Sequence, residues 1–220
     1  EFKMLFIFRM TLLVVLPAIL LAAPEAAASG ENWETDLAAA LEKAAKENKP
    51  VLADFSGSDW CKWCKKLDEE VFSQEAFKKF AADSIVPCVI DFPRDKSIIP
   101  EDQAAKNKEY ATKYGVRGYP TVYLLEPDGA VFLKTTYREG GAEEYVKLLN
   151  SVLKARAKML ELEKKADPKT AAALLKEIPE EALILRARLI LASFPEDDVA
   201  MRAEAAFNLI RAEEDKDGKH

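Results

Sequence analysis

The chain has 220 residues, with 32 basic and 38 acidic side chains for a net charge of −6, and is 49% hydrophobic and 32% charged. That length holds one ordinary domain with an appendage, or two small ones, and the apolar content supports a folded core rather than disorder. Charges of both signs are mixed along the sequence, so nothing marks a nucleic-acid surface and no nucleic-acid partner is expected.

Leu5 to Ala23 is almost wholly apolar, interrupted by Arg9 and Pro17, and Ala26-Ala27-Ala28-Ser29 follows. A basic residue, an apolar segment and small residues at the last positions read as a secretory signal over residues 1–28, cleaved after Ala28. The alternative is an uncleaved anchor, because the apolar length is close to the roughly 20 residues of a spanning helix. Membrane association follows only in that case. The chain opens with Glu1, so Met4 and Met10 are the candidate starts, and no cysteine follows the cleavage site to carry a lipid. Export implies a periplasmic or secreted location, where disulfides persist.

Asn32-Trp33-Glu34-Thr35-Asp36 leads into an Ala- and Leu-rich helix over 37–47, which Asn48-Lys49-Pro50 stops. Val51 to Phe55 reads as a buried strand, with a turn directly after it. A helix starting near Cys61 runs through Phe72, and a short one carrying Phe77 and Phe80 spans 74–82. Residues 85–92 form a second strand, where Pro87 points to a sheet edge. A polar connection leads to a helix over 102–114, and Gly115-Val116-Arg117-Gly118-Tyr119-Pro120 turns the chain. Strands over 121–125 and 130–135 flank a hairpin turn at Glu126-Pro127-Asp128-Gly129, and a last helix runs from Ala142 to about Ala155. This order predicts an α/β fold with a mixed central sheet covered by helices on both faces.

The chemistry centres on Trp60-Cys61-Lys62-Trp63-Cys64. Three residues apart on a helix, Cys61 and Cys64 share a face and are close enough to form a disulfide. At the helix start Cys61 meets unpaired amides and the positive end of the dipole, which favour thiolate, and Lys62, Lys65 and Lys66 push the same way. A thiolate attacks disulfides, and a second thiol one turn later resolves the mixed disulfide. Trp60 and Trp63 border the pair and can shape a substrate surface, although Trp60 equally fits packing beside the cysteine helix. A zinc site needs further thiol or imidazole ligands, and only Cys88 and His220 are on offer, so no metal is assigned. Haem attachment needs histidine after the pair, where Lys65 stands. Cys88, flanked by apolar residues, reads as a buried strand cysteine.

The runs Asp54-Phe55-Ser56-Gly57-Ser58-Asp59-Trp60-Cys61-Lys62-Trp63-Cys64, Asp91-Phe92-Pro93 and Tyr114-Gly115-Val116-Arg117-Gly118-Tyr119-Pro120-Thr121 resemble the thioredoxin-like family. More narrowly, they resemble its exported bacterial members with a Gly-Ser-Asp-Trp-Cys-x-x-Cys active site. The resemblance spans Trp33 to about Leu153. It implies a thioredoxin fold in which Cys61 attacks, Cys64 resolves, and no cofactor is needed. It implies a cis Tyr119-Pro120 peptide opposite the pair, with the adjacent backbone binding an extended substrate. It also implies Asp54 as proton acceptor for Cys64. Two departures are plain. Lys62-Trp63 replaces the Gly-Pro of thioredoxins proper, and Asp54 lies seven residues before Cys61 rather than six.

From about Arg156 the composition shifts to Ala, Leu, Glu, Lys and Arg, with helix starts at Asp167-Pro168, Pro179-Glu180-Glu181 and Pro195-Glu196-Asp197-Asp198. The expected division is a signal over 1–28, a thioredoxin-like domain over 29–155, a C-terminal all-helical extension over 156–212 and a charged tail over 213–220. The extension reads as a small bundle packed on the domain, with a partner-binding surface as the alternative. The functional expectation is an exported thiol–disulfide oxidoreductase acting on protein thiols and disulfides, with a redox partner protein as electron donor or acceptor. The rival readings are a binding module with a structural disulfide and a protein holding a soft metal ion on the reduced pair.

Overall fold

The computed structural model describes residues 32–163 together with residues 178, 179, 185 and 186. Asp36 caps the first helix, α1 (Leu37–Glu47), where its Oδ1 accepts hydrogen bonds from the amides of Ala38 and Ala39. Asn48 closes that helix at a left-handed φ of 52°, a conformation asparagine tolerates. Pro50 then leads into β1 (Val51–Ser56), buried along its whole length as a central strand covered on both faces must be.

The cysteine helix, α2 (Lys62–Leu67), continues into a π-helical turn over Asp68–Phe72. The remaining elements are α3 (Glu75–Ser84), β2 (Val86–Asp91), α4 (Glu101–Lys113), β3 (Thr121–Leu125), β4 (Val131–Thr135) and α5 (Gly141–Glu163). The strands lie in the order β2-β1-β3-β4. β1 runs parallel to β2, and β3 is antiparallel to both β1 and β4. The mixed sheet with flanking helices, expected from the order of elements, is therefore present.

Pro87 sits in the edge strand, as its lack of an amide hydrogen requires. On the outer side of β2, Glu34 donates its amide to Pro87 O and accepts from Val89 N, both at 2.9 Å. This one-residue bridge covers the exposed edge. On the inner side Val86 N donates to Pro50 O, so the proline's missing donor falls where β1 does not need it.

Alternation along β1 divides the core in two. Val51, Ala53 and Phe55 pack with Leu37, Ala40 and Ala44 of α1 on one face. Leu52 packs on the other with Leu67, Val71, Phe72, Phe77, Tyr145 and Leu149. In α5, Ala142, Tyr145, Leu149, Val152, Ala155 and Met159 recur every three or four residues and are all buried, and the helix continues past Ala155 to Glu163. Arg156 on this helix reaches back to Glu126 at the β3–β4 turn, with its Nε 2.8 Å from Oε2. Ile178 and Leu185 join the same core cluster, and Arg186 Nη1 donates to Ile178 O at 2.9 Å. The expected leader, the charged tail and the rest of the helical extension lie outside the described residues.

Candidate active site

The β1–β2 register sets Ser56 beside Asp91, so the two strands end together where the chain turns towards the cysteines. Asp91 clamps that turn. Its Oδ1 accepts from the amides of Ser58 and Phe92, each at 2.9 Å, and its Oδ2 accepts from Ser58 Oγ at 2.5 Å. From behind, the buried Asn107 of α4 donates through Nδ2 to Asp91 O at 2.8 Å. A second clamp runs in the opposite direction, from the turn to the loop after β2. The Asp59 carboxylate accepts from the amides of Arg94 and Asp95, and Trp60 Nε1 donates to Phe92 O at 2.8 Å. Gly57 allows the turn to close, because a Cβ there would lie 2.6 Å from the Trp60 ring.

The turn delivers Cys61 as the N-cap of α2, its amide donating to Gly57 O at 2.8 Å. Cys61 and Cys64 are joined in a disulfide, with Cα atoms 5.2 Å apart. Cys64 N points at Cys61 Sγ, 3.2 Å away. When the disulfide opens, this amide and the helix N-terminus stabilise negative charge on the Cys61 sulfur. Each cysteine is only 5% exposed, whereas Trp63 between them is 50% exposed. The surface around the disulfide is therefore indole rather than sulfur.

The Tyr119–Pro120 peptide is cis, and Tyr119 packs edge-on against Trp60 with ring centroids 5.7 Å apart. Trp60 is half-buried between this tyrosine and the loop after β2, so it both packs and borders the site. Pro120 O accepts from Thr136 Oγ1 at 2.7 Å, which ties the proline turn to the segment after β4. Trp63 lies against Tyr137, with centroids 5.3 Å apart, and Tyr137 donates its hydroxyl to Glu70 at 2.6 Å.

Asp54 shares its face of β1 with Leu52, on the side covered by the cysteine helix and α5. It is buried, and its Oδ1 has no hydrogen-bond partner. Burial, with smaller contributions from the negative charges of Asp68 and Asp91, pushes its carboxyl up to about 8. A carboxylic acid in that range exchanges protons with thiols at near-neutral pH, the property a proton acceptor beside a redox pair needs. Cys88 is buried and free, and burial pushes its thiol well up, as suits an inert packing cysteine. Among the described residues no cluster of His, Cys, Asp and Glu has the makings of a metal site.

Sequence reasoning singled out Asp54, Cys61, Cys64, Trp60, Trp63, Tyr119 and Pro120. It assigned no role to Ser58, Asp91, Asn107 or Tyr137, which connect the site to β2, α4 and the segment after β4. An acid closing an otherwise apolar strand was the available signal for Asp91.

Residues 37–153 match the thioredoxin-like domain family. The chain is 35% identical over 130 residues to "Disulfide bond reductase DsbH" of Chlamydia pneumoniae, covering 59% of this chain and 77% of that protein. It is 28% identical over 93 residues to "Thioredoxin-related protein DsbJ" of the same organism, covering 42% of this chain and 26% of that one. Among solved structures, "DsbH Oxidoreductase" superposes with a TM-score of 0.54 at 34% identity, covering 62% of this chain and 92% of that one.

Two outcomes follow from the clamp and the buried acid. Ser58→Ala is expected to lower the stability of the oxidised protein by about 1–3 kcal/mol, and Asp91→Ala by more, in urea unfolding. The second concerns pH. The folded Asp54 carboxyl ionises above its ordinary 3.8, so the folded state holds the proton more tightly than the unfolded chain. Its contribution to stability therefore falls as pH rises from about 4 to about 8, by at most about 1.4 kcal/mol per pH unit. Asp54→Asn removes that decline, which unfolding midpoints measured across this range will register.

Proposed function

Because this chain belongs to the thioredoxin-like family and is a thiol–disulfide oxidoreductase, we propose that it reduces protein disulfides, with Cys61 attacking and Cys64 resolving. The observation that carries the assignment of roles is the Cys64 amide directed at Cys61 Sγ across the start of α2. It supports charge on one sulfur of the pair and not the other.

In the reducing direction, the Cys61 thiolate attacks one sulfur of a substrate disulfide, and the second substrate sulfur leaves as a thiolate. The Cys64 thiol then gives its proton to the Asp54 carboxylate and attacks Cys61 Sγ. The first substrate sulfur departs, and Cys61–Cys64 closes as the disulfide. Two electrons pass to the substrate, and a dithiol redox partner protein must return them. The substrate chain lies along the backbone of Tyr119 at the cis-proline turn, between the Trp60 and Trp63 rings. Asp54, protonated for the most part at pH 7, becomes a better acceptor as pH approaches 8. The name of the DsbH relative supports reduction over oxidation.

The apolar leader over residues 1–28 supports export to a compartment outside the cytoplasm. No helix among the described residues is long and apolar enough to cross a membrane.

Cys64→Ser is expected to accumulate mixed disulfides between Cys61 and substrate proteins, visible on non-reducing gels and reversed by dithiothreitol. Cys61→Ser is expected to accumulate none. Equal trapping by both variants would remove the assignment of attacking and resolving roles.

A further inference from the structure

The cations of the site run against the sign of the whole chain. The protein carries a net charge of −6, yet Lys62, Lys65, Lys66 and Arg94 gather around the disulfide. They lie on the aromatic walls of the site. Lys62 and Lys66 place Nζ 5.9 and 5.5 Å from the Trp63 ring centroid, and Lys66 is also 4.9 Å from that of Tyr137. Across the disulfide, the Arg94 guanidinium lies 4.8 Å from the Trp60 ring. Such contacts hold the long side chains along the surface while leaving their charge available.

The carboxylates interleaved with these cations already have internal donors. Asp59 accepts from two backbone amides of the loop after β2, and Asp95 accepts from the amide and hydroxyl of Ser97. Glu70 accepts from the Tyr137 hydroxyl and faces Lys66 at 3.6 Å. Lys65 Nζ donates to a carbonyl, Asp59 O, rather than to a carboxylate. Lys62 and Arg94 are exposed, and neither has a carboxylate within ion-pair distance among the described residues. Lys62 and Arg94 are therefore the unpaired cations of the rim, each resting on an aromatic face beside a recessed disulfide.

Resting on the reductase reading, we propose that this rim selects protein substrates whose reactive cysteine is flanked by Asp or Glu. An acidic segment placed along the Trp60 and Trp63 walls meets Arg94 on one side and Lys62, Lys65 and Lys66 on the other. The same charges favour the thiolate that the substrate releases when its disulfide is cut. Complementary charge of this kind acts mainly on the rate of encounter and on the choice of partner.

The test uses the reduced full chain and three disulfide substrates under single turnover. They are one peptide pair with Glu beside each cysteine, one with Lys there, and uncharged 2-hydroxyethyl disulfide as a neutral reference. The Glu peptide is expected to react about tenfold faster than the Lys peptide at low salt. That ratio should shrink towards one as ionic strength rises from about 0.05 to about 0.5 M. In the double variant Lys62→Glu, Arg94→Glu the ratio should fall to one or invert. Taking the ratio cancels any change the charges make to Cys61 itself. Equal rates for both peptides, with the neutral disulfide still reduced, overturn the selectivity and leave the exchange reading intact. A ratio insensitive to salt in the unsubstituted protein overturns it without reference to any variant. Failure with all three substrates removes the exchange reading, and the selectivity with it.

Discussion

The Asp91 carboxylate is the constraint on which the site depends. A parallel pair of strands brings Ser56 and Asp91 level, and from there one carboxylate holds the amide and hydroxyl of Ser58. Without that anchor, the turn between β1 and the cysteine helix loses its side-chain link to the end of β2 and keeps the packing of Trp60 over Gly57 and the bonds to the loop after β2. The reciprocal bonds from Asp59 and Trp60 to the loop after β2 make the connection two-sided. Hydrogen bonds to a carboxylate are among the stronger ones a protein makes, and here they fix two backbone amides together with one side-chain hydroxyl. The Cys61 amide, its bond to Gly57 O and the direction of the Cys64 amide all follow from where this turn ends.

The fold was legible because its signals are local. Asp36 before an Ala-rich run, Asn48-Lys49-Pro50 after it, and an apolar β1 with Pro87 on the partner strand each correspond to an element or an edge that is present. The longer turn before Cys61 was visible as a count of residues, but its consequence was not. Counting cannot show that Asp91 and Asn107, 33 and 49 positions after Ser58, converge on that turn, since this depends on strand register and on α4 crossing the sheet. Tyr137 was missed for the same reason. It follows β4 in sequence and meets Trp63 only through the folded sheet.

Two kinds of electrostatics meet at the disulfide. In the core, Asp54 lies on the face of β1 covered by the cysteine helix, with other acids nearby, and burial holds its proton at neutral pH. Above the disulfide, exposed lysines and an arginine rest on aromatic rings in solvent, where charge is screened by salt but acts over the distance of an approaching partner. In the proposed exchange the buried group takes up the Cys64 proton, and the surface groups select the substrate at the mouth. The Lys-Trp dipeptide between the cysteines links the two levels: Trp63 forms the exposed wall, and Lys62 begins the cationic rim.

The most direct measurement is the reduction potential of the Cys61–Cys64 couple, obtained by equilibrating the protein in glutathione or dithiothreitol buffers and quantifying free thiols. A disulfide reductase of this fold is expected between about −270 and −180 mV, the span of thioredoxin-fold exchange enzymes. A value below about −300 mV would mark a structural disulfide, and one near −120 mV would mark an oxidant; either contradicts reduction of protein disulfides as the function.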